Sequence, residues 1–79
     1  MNDKQISLLS EIFHLVLEIP EDYDLTRVNR LNMAKWDSLA NVTLITAIEN
    51  EFQLSLDTHD YERMTSFKSA RLLIEEKLS

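Results

Sequence analysis

The stretch Trp36-Asp37-Ser38-Leu39-Ala40-Asn41-Val42-Thr43-Leu44-Ile45-Thr46-Ala47-Ile48-Glu49-Asn50-Glu51-Phe52-Gln53 decides the fold. Within it Leu44, Ile45, Ile48 and Phe52 recur at i, i+1, i+4 and i+8, the spacing of one face of an α-helix. The pattern predicts a helix from about Ser38 to Gln53. Asp37 or Ser38 can cap its first turn, because a short oxygen-bearing side chain accepts from a free backbone N–H there.

The same period extends toward the N-terminus. From about Asp3 to Glu18, residues Ile6, Leu9, Ile12, Phe13 and Val16 fall on one side, with Leu8 and Leu15 at its edge. Ser7, Ser10, Glu11, His14 and Glu18 gather opposite. Asn2 or Asp3 is positioned to cap this helix, and Pro20 is expected to end it by disfavouring helical geometry at the residue before it. Toward the C-terminus, a short helix is predicted from Thr58 to Arg63 with Asp57 as its cap. A last helix runs from Ser66 to Leu78, capped by Ser66, with Phe67, Ala70, Leu73, Ile74 and Leu78 on one face. Alternation of apolar and polar residues occurs only over Phe52–Leu56, too briefly for a strand. The expected fold is all-α: one domain over residues 1–79, a small four-helix bundle with three longer helices and one short one. Between helices one and two lies a long loop, Ile19 to Asp37, of a length that is uncommon in compact domains and often functional. Tyr23, Leu25, Val28, Leu31, Met33 and Trp36 are expected to pin it to the helices.

Composition excludes several chemistries. The chain has 79 residues, no cysteine and no glycine. Disulfides, thiolate nucleophiles, zinc–thiolate sites and glycine-rich phosphate loops are therefore impossible. Fourteen acidic residues against eight basic ones give a net charge of −6, which repels nucleic acid phosphates and steers basic partners. No apolar run exceeds three residues, as in Leu15–Leu17, which is too short for membrane insertion. With no secretory leader visible at Met1–Gln5, the expected location is the cytoplasm. Glu11 and His14 form a single Glu-x-x-His, whereas helical di-iron sites need two such motifs facing inward. No metal site is expected.

Trp36-Asp37-Ser38-Leu39, at the start of a helix after a long loop, resembles the Asp-Ser-Leu signature of acyl carrier proteins. Val42, Leu44, Ala47, Ile48, Glu49, Glu51 and Phe52 fit the second helix of that family, and Met64-Thr65-Ser66-Phe67 resembles its junction between the third and fourth helices. The resemblance implies a non-enzymatic carrier. A phosphopantetheinyl transferase would attach 4'-phosphopantetheine from coenzyme A to Ser38. Acyl-loading and acyl-transferring enzymes of fatty acid or specialised acyl and polyketide-type biosynthesis would then use the arm. It further implies partner recognition by Asp37, Leu39, Thr43, Thr46 and Glu49, an acyl pocket walled by Leu44, Ile48, Phe52, Leu72 and Ile74, and a monomer. On its residues alone, Ser38 reads first as a plain N-cap, and Trp36 as a hydrophobic staple for the helix that follows.

The chain also departs from the family. The stripe Ala40, Thr43, Thr46 and Asn50 carries no acid where acids are usual, and Lys35-Trp36 replaces the glycine commonly found before the aspartate–serine pair. Partners outside the housekeeping fatty acid machinery are implied. An aminoacyl or peptidyl carrier is the main alternative, and an unmodified helical adaptor the third.

Overall fold

A computed structural model describes residues 1–78, which form four α-helices and no strand. They are α1 (Asp3–Val16), α2 (Ser38–Phe52), α3 (Thr58–Arg63) and α4 (Phe67–Leu78). All four start on side-chain caps expected from the sequence. Asn2 Oδ1 accepts from Gln5 N at 2.8 Å, Asp37 Oδ1 from Ala40 N at 2.8 Å, and Asp57 Oδ1 from Asp60 N at 2.9 Å. Ser66 Oγ accepts from Ser69 N at 3.0 Å, so Ser66 stands just outside α4 as its cap.

The helix ends differ from expectation. α1 stops at Val16 rather than Glu18, before Pro20 acts. Ile19 N donates to His14 O at 3.0 Å, a closure that requires a left-handed residue, and Glu18 takes it at φ 53°. α2 ends the same way: Gln53 sits at φ 56° and Leu54 N donates to Glu49 O at 3.1 Å. Glycine normally fills such positions because a Cβ costs roughly 1–2 kcal/mol there. A chain without glycine carries that strain at Glu18 and Gln53.

One core joins the helices. Leu9, Phe13, Leu44, Ile48, Met64, Ala70, Leu73 and Ile74 are completely buried. Burying each of the larger of these side chains contributes about 1.5–3 kcal/mol. The Phe13 ring lies at its centre, edge-on to Trp36 (5.4 Å between centroids) and to Phe67 (5.1 Å). This cluster ties α1 to the long connection and to α4.

The connection itself is more ordered than its sequence suggests. It contains a 3-10 turn at Leu25–Arg27, capped by Asp24. Beyond it, residues 28–30 pair with 65–67 across an antiparallel bridge, through Arg30 N to Thr65 O (3.0 Å) and Phe67 N to Val28 O (3.2 Å). Leu25, Val28 and Trp36 are buried and Met33 is half-buried, as expected of anchors. Tyr23 and Leu31 are not anchors: Tyr23 is exposed and Leu31 is fully exposed. Leu78, placed on the apolar face of α4 by its spacing, also stands exposed where the last turn leaves the core.

α3 is short: Tyr61 is half-buried against the core, and polar contacts supply further anchorage. The Asp60 carboxylate, itself buried, accepts from Asp57 N at 3.1 Å and from Lys77 Nζ at 3.0 Å. Arg63 pairs with Glu76 at 2.7 Å. The backbone bond from Asp57, followed by the Lys77 ammonium, holds the Asp60 carboxyl below its ordinary value.

Candidate functional site

The first turn of α2 is built from its anchors outward. Trp36 is 3% exposed and its indole Nε1–H donates to Asn41 Oδ1 at 2.9 Å. With Asp37 as N-cap, Trp36 and Asn41 occupy the two positions of a hydrophobic staple. Here the staple is a buried hydrogen bond instead, reinforced by the edge contact with Phe13. The chain is thus fixed immediately before Ser38.

Asp37 performs the capping. Its side chain takes Ala40 N and its backbone carbonyl takes Asn41 N at 2.9 Å. Ser38 is therefore not the cap. Its hydroxyl is exposed and makes no hydrogen bond among the described residues. The Ser38 and Leu39 amides likewise have no acceptor, so two free N–H donors and the positive end of a 15-residue helix surround an unengaged hydroxyl. This environment suits a phosphate ester on Ser38 Oγ.

Beyond Ser38, the exposed surface of α2 consists of Leu39, Val42, Thr43, Thr46 and Asn50, none of them charged, and of Glu51 at its far end. Leu39 is 76% exposed. Thr43 and Thr46 donate back to the carbonyls of Leu39 and Val42 at 3.1 and 2.9 Å, so their hydroxyl protons are engaged within the helix. Ala40 differs from its expected place in the outer stripe: it is half-buried at the edge of a groove with Val16 and Lys35.

Glu49 and Leu72 stand differently from what their spacing suggests. Glu49 is half-buried, and its Oε2 accepts from Leu56 N at 2.9 Å. Its carboxylate fastens the connector after α2. Leu72 is 59% exposed on the outer side of α4, because the two residues after it, Leu73 and Ile74, take the buried positions. It walls no interior space. Leu44, Ile48 and Ile74 are brought together in the core at zero exposure. Phe52 is buried at the edge of a groove with Leu8, Glu11 and Leu78.

Sequence reasoning missed two features of this region. Asn41 lies three residues before Leu44 on the buried face, and a lone polar residue on that face beside tryptophan was the signal available. The Lys35–Glu18 ion pair, 2.6 Å long, joins residues 17 apart and has no local signature. Lys35 holds the Glu18 carboxyl below its ordinary value, first by hydrogen bonding and then by charge.

His14 Nδ1 lies 3.1 Å from Ile19 O and Glu11 is exposed; among the described residues no group of three or more acidic or histidine side chains is placed to hold a metal ion. None of the described helices is long and apolar enough to cross a membrane. No protein-family model matches the sequence, and no curated protein matches it.

Proposed function

We propose that this chain is an acyl carrier protein of the four-helix-bundle type, with 4'-phosphopantetheine attached to Ser38. The observation that carries this reading is the unengaged, exposed Ser38 hydroxyl at the first position of α2, with Asp37 doing the capping that would otherwise explain it. A serine kept free at a fixed helix start, beside two unpaired N–H groups, has the attributes of a modification site. Its anchoring by Trp36 and Asn41 presents it to a modifying enzyme without reorganisation.

In the modification, Ser38 Oγ attacks the β-phosphorus of coenzyme A. The P–O bond to the nucleotide half breaks, adenosine 3',5'-bisphosphate leaves, and the serine proton passes to a base on the transferase. The arm supplies the thiol that a cysteine-free chain lacks, and acyl groups ride on it as thioesters. This chain's residues hold the serine, stabilise the phosphodiester from the α2 N-terminus, and offer Asp37, Leu39, Val42, Thr43 and Thr46 to partner enzymes. The uncharged exposed residues of α2 from Leu39 to Asn50 also fit an aminoacyl or peptidyl carrier, which would differ only in its cargo-loading enzyme.

The test is intact mass after incubation with coenzyme A, magnesium and a broad-specificity phosphopantetheinyl transferase. The native chain is expected to gain one phosphopantetheine and Ser38→Ala none, with Ser38→Ala retaining native helicity because Asp37 caps α2. An unmodified native chain beside a modified control carrier would refute the proposal and favour a helical adaptor.

A further inference from the structure

Two surface grooves meet at one ion pair near Ser38. The first, about 440 Å³, runs along Asp37, Leu39, Ala40 and Thr43 of α2 and reaches Val16 at the end of α1. The second, about 310 Å³, is formed by Leu17, Ile19, Pro20, Tyr23 and Met33. Glu18 and Lys35 border both, and their 2.6 Å contact marks the junction. The left-handed backbone of Glu18 ends α1 at this point and sets its carboxylate opposite Lys35. Both grooves fall in the size range of small-molecule sites, about 300–1,000 Å³.

We propose that these grooves receive the arm on Ser38 and its cargo, the amide-bearing arm lying in the first and an aliphatic acyl chain in the second, with Lys35–Glu18 as a strap between them. This rests on the carrier reading.

The chemistry changes along the path in the required order. Near Ser38 the lining includes Asp37, Thr43, Lys35 and Glu18, partners for amides and hydroxyls. Past the ion pair it becomes Leu17, Ile19, Pro20, Tyr23 and Met33, suited to hydrocarbon. Leu17 and Ile19 are buried beneath it, Met33 is half-buried and Tyr23 exposed, so apolar surface is available without moving a helix. The neighbours of Ser38 in the chain, Asp37 and Leu39, line the first groove. A tethered group therefore samples it at high effective concentration, and a shallow site suffices. Leu44, Ile48 and Ile74 are at zero exposure, and a chain inserted among them would have to push close-packed side chains apart.

The experiment loads the protein with octanoyl-coenzyme A and a transferase, verifies the octanoyl-phosphopantetheine mass on Ser38, and compares amide NMR spectra with the unacylated holo form. Shifts are expected at Ile19, Tyr23, Met33 and Lys35. Lys35→Glu, which sets two carboxylates at the strap, should alter that pattern, and the swap Glu18→Lys with Lys35→Glu should restore it. With the mass verified, shifts centred on Leu44, Ile48 and Ile74, or none beyond the neighbours of Ser38, would overturn the groove proposal alone. Absence of any mass gain would overturn the carrier reading and this proposal together.

Discussion

Asn41→Ala removes the acceptor of the Trp36 indole while leaving the ring in place. The bond is 2.9 Å long between a side chain 3% exposed and one 8% exposed, so water cannot substitute freely. A buried donor left unpaired costs about 1–3 kcal/mol. Against a stability of about 4–12 kcal/mol for a chain this length, that is a large fraction. A loss of about 2 kcal/mol corresponds to a Tm lower by roughly 8–16 °C. Urea unfolding followed by the fluorescence of Trp36, the sole tryptophan, and in parallel by circular dichroism, measures it as a lower midpoint at unchanged slope. Trp36→Phe removes the donor instead and keeps an aromatic edge against Phe13. If the two groups are bonded, the double variant should be less destabilised than the sum of the singles by about 0.5–3 kcal/mol. Strict additivity, or a loss below about 0.5 kcal/mol for Asn41→Ala, would refute the view that this bond anchors the start of α2.

Other expectations follow from the caps, the connector and the α3 contacts. Gln53→Gly relieves a left-handed Cβ and forfeits one exposed bond to Asn50 O; it should stabilise by roughly 0.5–1 kcal/mol in the same unfolding assay, and a loss would contradict the strain argument. Glu49→Ala frees the Leu56 amide and should destabilise by about 1–2 kcal/mol, whereas Glu49→Gln keeps an acceptor and should cost less; equal losses would show that the bond to Leu56 is unimportant. The folded Asp60 carboxyl titrates below its ordinary value of 3.8. Its contribution is therefore complete above that pH and is lost as pH falls through the lower folded value. Glu18 and Asp24 are lowered as well, by Lys35 and by Thr26 respectively, and add in the same direction. Stability measured from pH 5 downward should fall, and Asp60→Asn should flatten that slope; an unchanged slope would remove Asp60 from the account.

How much of this was legible beforehand differs from element to element. The stripe Leu44–Ile45–Ile48–Phe52 located α2 because helix periodicity is local, and Asn2, Asp37, Asp57 and Ser66 announced the helix starts because capping needs only neighbours within one turn. The ends were less legible. Pro20 was a visible terminator, yet α1 stops at Val16 through a closure at Glu18 that no residue preference marks, since neither Glu nor Gln favours positive φ. Tyr23 and Leu31 look like anchors by hydropathy and are not, because a connection without a period gives no means of telling which apolar side chains face inward.

The candidate site divides the same way. The sequence by itself determined an all-helical chain, an aspartate–serine pair at the head of its second helix, and the need for a borrowed thiol in any thioester chemistry. Those properties follow from composition and from contacts within a turn. Only the tertiary structure decided that Asp37 rather than Ser38 does the capping, that Trp36 is held by Asn41 and Phe13, that Glu49 is engaged with Leu56 while Leu72 faces outward, and that Lys35 reaches Glu18. Several of these depend on which elements pack together across the chain, and the rest on which of several compatible local bonds forms, choices that packing makes and local periodicity does not encode.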